Sequence, residues 1–144
     1  PEQKALLLED FDGRIGSAIE EFVRWVSPVM TFRRTATQDT VLGGQEIKQG
    51  EWVAMIYSSG NRDETVFENA DRFDILRSPN PHVGFGGGGP HFCLGAILAR
   101  KEMTIFFEEL FTRLPDITVA GEPVRLHSNF VNGIASLPVT FTPA

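Results

Sequence analysis

Residues 85–96 read FGGGGPHFCLGA and contain Cys93, the only cysteine of the chain. Over residues 94–114 apolar side chains recur at helical spacing until Pro115, which predicts a long helix beginning just after Cys93. Free N–H groups and the helix dipole at such a start stabilise a thiolate. Glycines before Cys93 let the backbone approach a flat ligand, and Gly95 keeps the first turn thin beside the sulfur. The segment therefore predicts a thiolate metal ligand beside the binding site of a broad, flat ligand.

This segment, followed by the Leu-Ala-Arg of residues 98–100, resembles the haem-binding loop and following helix of the cytochrome P450 monooxygenases. The resemblance implies that Cys93 is the axial ligand of haem b, where a thiolate pushes electron density toward O–O cleavage. It also implies that the haem is contacted by Phe85, Gly86 and Gly95.

The loop departs from the usual family pattern in one respect. Phe85 stands eight residues before Cys93, whereas the family's aromatic stands seven before. The variant with one extra residue resembles that of a bacterial subset that hydroxylates the ends of methyl-branched lipids and sterol side chains. It therefore favours an apolar, lipid-like or sterol-like substrate.

A second pattern, Glu21-x-x-Arg24 in a predicted helix, resembles the family's Glu-x-x-Arg pair. Residues three apart share a helix face, so the two side chains can form an ion pair. Arg72 occupies the position of the arginine in the family's Pro-x-Arg-Phe segment, with Ala70 in place of the proline. The resemblance implies a buried structural triad of Glu21, Arg24 and Arg72. An isolated surface pair would be worth only a few tenths of a kcal/mol.

Between these motifs the sequence is strand-prone. Residues 41–47 and 51–57 are expected to form hairpins that turn at Gly43-Gly44 and at residues 48–50. Arg34 has the spacing of the family arginine that binds a haem propionate, and Arg33 is the second choice. Since adjacent strand residues point to opposite faces, only one of the two can reach the haem. An arginine fork suits a carboxylate.

The resemblance also assigns roles to His91 and to the C-terminal segment. His91 resembles the histidine that hydrogen-bonds a haem propionate. Residues 124–141 are expected to form a hairpin that turns at Asn132-Gly133. In the family this tip points into the substrate chamber, so we expect Phe130 and Val131 to line a substrate pocket. Packing within the hairpin explains the same two apolar side chains equally well.

The fold expected from these motifs is α+β. Residues 1–144 resemble only the C-terminal third of a P450, namely the Glu-x-x-Arg helix, small hairpins, meander, cysteine loop, long helix and C-terminal hairpin. We therefore expect a haem-binding fragment that lacks the family's oxygen-activating helix and contains no catalytic residue of its own. The parent is expected to hydroxylate an apolar substrate with O2 and electrons from a ferredoxin or flavodoxin. The alternative is a truncated haem-binding remnant without activity.

Composition limits the partners. Thirteen basic and nineteen acidic residues give a net charge of −6, which disfavours nucleic acids and anionic membranes as partners. No apolar stretch is long enough to span a bilayer, and a single cysteine cannot form an internal disulfide. These features favour a cytoplasmic location.

Other sites with a cysteine or glycine loop fit less well. Residues 84–89 satisfy Gly-x-Gly-x-x-Gly, but a dinucleotide site needs a preceding buried strand, and residues 77–82 contain two prolines. A thiol phosphatase places arginine six residues after its cysteine, where this chain has Ala99. Cys–His nucleophilic chemistry with His91 or His127 stays open, although it leaves the glycine loop and the Glu-x-x-Arg pair without a role.

Overall fold

The computed structural model describes residues 1–142 and has an α+β architecture, as predicted. Along this part of the chain two helices are followed by four short strands, then two more helices and four more short strands. The helices are α1 (Glu2–Glu9), α2 (Phe11–Val26), α3 (Tyr57–Gly60) and α4 (Ala96–Arg113). The strands are β1 (Thr31–Thr35), β2 (Thr40–Leu42), β3 (Gln45–Ile47), β4 (Trp52–Ile56), β5 (Thr118–Val119), β6 (Val124–Arg125), β7 (Ile134–Ser136) and β8 (Val139–Thr140).

Helix α2 is the centre of the core. Asp10 caps its first turn by accepting a hydrogen bond from the amide of Gly13 at 3.1 Å, and Ser27 ends it in the left-handed conformation. Its apolar face buries Ile15, Ala18 and Ile19 against α1 and the irregular segment that follows α3. This face supplies most of the buried hydrophobic cluster because apolar residues repeat along it at helical spacing.

Helix α4 packs only part of its apolar surface. Phe107 and Phe111 lie against the cluster around α2, and the ring centroids of Phe107 and Phe22 are 4.8 Å apart. Five large apolar side chains on α4 or just before it are exposed, namely Leu94, Ile97, Leu98, Ile105 and Phe106. An exposed apolar surface of this extent is typical of an interface or a ligand site.

The strands form four separate antiparallel pairs. The hairpin predicted at Gly43-Gly44 is present as β2–β3, and both glycines have positive φ. The second predicted hairpin is wrong, since β4 pairs with β1 over residues 31–35 and 52–56. Residues 48–51 do form a turn, in which the Glu51 amide donates to the carbonyl of Lys48 at 3.0 Å. Its second arm joins β1 because the β2–β3 hairpin is nested between the two strands of the longer pair.

The C-terminal segment pairs β5 with β8 and β6 with β7. The predicted Asn132-Gly133 turn is wrong, because neither residue adopts the positive φ that such a turn requires. Asn132 is instead held by tertiary contacts. Its amide donates to the carbonyl of Pro28 at 2.9 Å, and its side chain donates to the carbonyl of Val26 at 2.5 Å. The loop consequently spans residues 126–133.

No helix within residues 1–142 is long and apolar enough to cross a membrane.

Candidate functional site

Cys93 lies at the entrance of α4. Its amide donates to the carbonyl of Phe85 at 2.9 Å, which closes the neck of the segment we call the cysteine loop, residues 85–95. The helix begins at Ala96, whose amide bonds the carbonyl of Cys93 at 3.2 Å. The thiol is exposed. A Cβ on Gly95 would lie 3.8 Å from Sγ, so a side chain there would fill space beside the sulfur.

A cavity of about 420 Å³ lies next to this loop and brings together the predicted propionate ligands Arg34 and His91. Its wall also includes Tyr57 and the backbone of residues 86–88. Arg33, on the opposite face of β1, instead covers the ring of Trp52 at 4.0 Å. The strand therefore separates the two arginines as its alternation requires, and Arg34 is the one beside the loop.

The Glu21–Arg24 pair is fully buried. Arg24 Nε and Nη2 donate to the two carboxylate oxygens of Glu21 at 2.7 and 2.8 Å, and both side chains are 0% exposed. Arg24 also donates to the carbonyls of Asn61, Ala70 and Arg72 at 2.7 to 3.0 Å. The guanidinium thereby ties α2 to the irregular segment between α3 and the cysteine loop.

The predicted triad needs one correction. The third charged side chain at Glu21 belongs to Arg77, whose Nε lies 3.2 Å from Glu21 Oε2. Arg72 is exposed and contributes its carbonyl oxygen, which accepts from both Arg24 and Arg77. The backbone curls around the ion pair in this segment, so that the carbonyl of Arg72 faces inward and its side chain outward.

A second charged cluster is centred on Glu20, the preceding residue of α2. Arg100 on α4 donates from Nε and Nη2 to the two carboxylate oxygens of Glu20 at 2.5 and 2.8 Å, and His82 Nε2 lies 2.9 Å from Glu20 Oε2. The hydrogen bond from Arg100 lowers the pKa of Glu20 from its ordinary value, against the opposing effect of burial. The pKa of Arg100 is raised, mainly by that hydrogen bond and against the opposing effect of burial.

Two further residues hold the approach to the cysteine loop. Asn61 is buried, donates to the hydroxyl of Ser27 at 2.9 Å and accepts from the amide of Val83 at 2.8 Å. Gly84 touches α2 so closely that a Cβ would lie 2.4 Å from Val23 Cγ1. Sequence reasoning missed both. The sequence signal for Asn61 is that residues 61–64 resemble the start of the family's meander.

Two groups of predicted site residues lie away from this cavity. The ring of Phe85 packs beneath the Arg100 guanidinium at 4.5 Å and beside His82, outside the cavity wall that includes Gly86. Phe130 stacks edge-on against Phe32 at 5.3 Å. Val131 bridges to Val29. The Phe85 ring is therefore packed within the fold, whereas the side chains of Phe130 and Val131 stay 46% and 40% exposed. A substrate-lining role for Phe130 and Val131 stays a prediction.

These residues suit a haem. An exposed thiolate at a helix start can ligate iron from one side. The N–H donors of Arg34 and His91 share one cavity and suit the carboxylates of propionates. The bare glycine backbone and the space beside Cys93 leave room for a flat ring.

The chain is similar to proteins of one family throughout its length. The family model described as Cytochrome P450 matches residues 16–133. A methyl-branched lipid omega-hydroxylase of Mycobacterium tuberculosis is 51% identical over 142 residues, which cover 99% of this chain and 33% of the relative. A steroid C26-monooxygenase of Rhodococcus jostii is 53% identical over 125 residues, covering 87% and 26% respectively.

Solved structures agree. A cytochrome P450 of Mycobacterium marinum in complex with pseudoionone superposes with a TM-score of 0.94 at 61% identity, covering 98% of this chain and 34% of that one. The chain thus spans about a third of the length of these relatives, and the predicted α+β fold portion is confirmed. Cytochrome P450s hold protoporphyrin IX haem through a cysteine thiolate. By its family match over most of its length and by these relatives, the chain belongs to the cytochrome P450 family.

Proposed function

We propose that residues 1–144 form the C-terminal, haem-ligating part of a cytochrome P450 monooxygenase, with Cys93 as the axial iron ligand. The observation that carries this proposal is the exposed Cys93 at the start of α4, in the same loop whose glycines 86–88 and His91 line a cavity with Arg34. When bound, haem supplies the oxygen-activating redox chemistry. The chain's residues would hold and orient it, since the Cys93 sulfur would bind the iron and Arg34 and His91 would donate hydrogen bonds to the propionate carboxylates.

For the whole protein we propose hydroxylation of an apolar substrate. One atom of O2 is inserted into a C–H bond and the other leaves as water, with two electrons and two protons consumed. The electrons come from NAD(P)H through a ferredoxin or flavodoxin. The relatives named as a methyl-branched lipid omega-hydroxylase and a steroid C26-monooxygenase support a lipid or sterol-like substrate. We assign Phe130 and Val131 to the substrate side and the protein to the cytoplasm.

The ligand assignment is tested by haem reconstitution of the wild-type chain and Cys93→Ser. The wild-type ferrous–CO complex should show the strongly red-shifted Soret band of a thiolate-ligated haem, and Cys93→Ser should lose it. His91→Gln is the matched control, because imidazole is the competing iron ligand within the loop, and it should keep the band. Retention of the band by Cys93→Ser would refute the assignment.

Residues 1–144 on their own form the second candidate, a haem-binding remnant without coupled turnover. The apolar surface beside Cys93 is open to solvent at Leu94, Ile97 and Leu98. Coupled oxygen insertion needs a site that excludes water. We expect the reconstituted chain, supplied with NADPH, a ferredoxin system and fatty-acid or sterol substrates, to give peroxide. Hydroxylated product formed in step with NADPH consumption, measured by mass spectrometry, would overturn this second proposal.

A further inference from the structure

The carboxylate of Glu20 connects the two ends of the cysteine loop. Before the loop, His82 reaches it with Nε2 at 2.9 Å, and after the loop Arg100 reaches it with a two-pronged fork at 2.5 and 2.8 Å. His82 lies three residues before Phe85 and Arg100 seven residues after Cys93. Residues 82–100 therefore form a segment whose first and last side chains both contact Glu20 on α2.

The direction of the histidine bond follows from its second nitrogen. His82 Nδ1 accepts a hydrogen bond from the amide of Gly84 at 3.1 Å, so the ring proton lies on Nε2 and is donated to Glu20. The His82 side chain is 3% exposed, so water competes little for this bond. The Glu20 carboxylate thus accepts three hydrogen bonds, two from the Arg100 guanidinium and one from the buried His82 ring.

The neck of the loop lies between these two partners. The Phe85 ring is 5.9 Å from the His82 ring and 4.5 Å from the Arg100 guanidinium. Its carbonyl accepts the amide of Cys93 at 2.9 Å. A shift of either partner of Glu20 would therefore move the residue to which Cys93 is bonded.

We propose that Glu20 is a positioning residue for Cys93: its carboxylate joins the chain before and after the cysteine loop and so holds the sulfur where an axial ligand is needed. The inference rests on the proposed function in one respect, namely that Cys93 is an iron ligand whose position matters. The loop restraint itself is testable without haem. The competing explanation is an ordinary ion pair, since the Glu20 and Arg100 side chains are 28% and 36% exposed and exposed pairs contribute little.

The test is amide hydrogen exchange in the 144-residue chain, comparing wild type with Glu20→Gln. An amide side chain has one acceptor oxygen, so its NH2 must replace either the oxygen that accepts from Arg100 Nε or the oxygen that accepts from both Arg100 Nη2 and His82 Nε2. At least one of the three hydrogen bonds is then lost. We expect exchange of the Cys93 amide to accelerate roughly tenfold through local opening, while the amides of β1 and β4 stay unchanged. Glu109→Gln is the matched control, since it breaks an exposed pair with Arg113 on α4, the helix that also carries Arg100.

A double-mutant cycle shows whether the two arms act through Glu20. His82→Phe and Arg100→Met should be coupled in their effect on Cys93 exchange when Glu20 is present, and additive in the Glu20→Gln background. Cys93 exchange in Glu20→Gln within twofold of wild type, or equal acceleration of all amides, would refute the positioning role.

The same variants reconstituted with haem give a spectroscopic readout. Glu20→Gln should convert part of the thiolate-type ferrous–CO band to the band of a haem without thiolate, while Glu109→Gln should not. If the wild type itself lacks the thiolate band, the proposed function fails while the exchange result still decides the restraint. If the wild type has the band and Glu20→Gln keeps all of it, the positioning role is refuted and the proposed function stands.

Discussion

Replacing Glu21 by alanine should destabilise the chain more than any exposed charge deletion. The Glu21 carboxylate accepts five hydrogen bonds, two from Arg24, one from Arg77, and one each from the Asp74 amide and the Asn80 side chain. In the alanine variant Arg24 keeps its three carbonyl acceptors but loses its counter-ion. Its charge is then buried and uncompensated.

The size of the loss follows from burial. Removing one partner of a buried ion pair costs about 3–5 kcal/mol, whereas an exposed pair is worth less than about 1 kcal/mol. Both Glu21 and Arg24 are 0% exposed, and two neutral donors also lose their acceptor, so we expect the upper part of this range. With a urea m-value of about 1–3 kcal/mol/M, the midpoint should fall by more than about 1 M.

The assay is urea unfolding followed by far-UV circular dichroism, with Glu109→Ala as the control. That control breaks the exposed pair with Arg113 on α4 and should change stability by less than about 1 kcal/mol. If Glu21→Ala unfolds before urea is added, Glu21→Gln, which keeps one acceptor oxygen, gives an intermediate value. A Glu21→Ala midpoint within the error of the control would refute the argument from burial.

Two further comparisons use the same unfolding assay. Arg77→Ala should cost about 1–3 kcal/mol because its guanidinium bonds Glu21 and three carbonyls, whereas Arg72→Ala should stay within about 0.5 kcal/mol; the reverse order would restore the triad predicted from sequence. Gly84→Ala should cost about 1–3 kcal/mol by overpacking against Val23. Gly87→Ala has no neighbour within 4 Å of its added Cβ and should be nearly neutral, so equal losses in the two glycine variants would contradict the packing argument.

The sequence predicted features that depend on local periodicity. The placement of Cys93 before a helix followed from the apolar repeat of α4. The shared face of Glu21 and Arg24 followed from helical spacing, and the separation of Arg33 from Arg34 followed from strand alternation. In each case a repeat of 3.6 or 2 residues fixes the direction of the side chain before any tertiary contact forms.

Features that depend on irregular backbone were not predictable in this way. Nothing in the spacing of residues 61–83 tells that Arg77 rather than Arg72 turns toward Glu21, because that segment has no repeat to fix side-chain direction. The Asn132-Gly133 pair has strong turn propensity, yet contacts of Asn132 with Val26 and Pro28 select another conformation. Tertiary hydrogen bonds override propensity there.

Glu20 and Glu21, adjacent on α2, hold different parts of the site. Successive helical residues project about 100° apart, so Glu21 faces the irregular segment through Arg24 and Arg77 while Glu20 faces the cysteine loop through His82 and Arg100. The first pair is buried and its loss must affect global stability, since no solvent can compensate the charge. The second is partly exposed, so its loss costs less overall and acts where its partners are attached. Helix α2 thereby contributes both to the stability of the fold and to the geometry of the cysteine loop. Substituting Glu21 and Glu20 in turn separates the two effects.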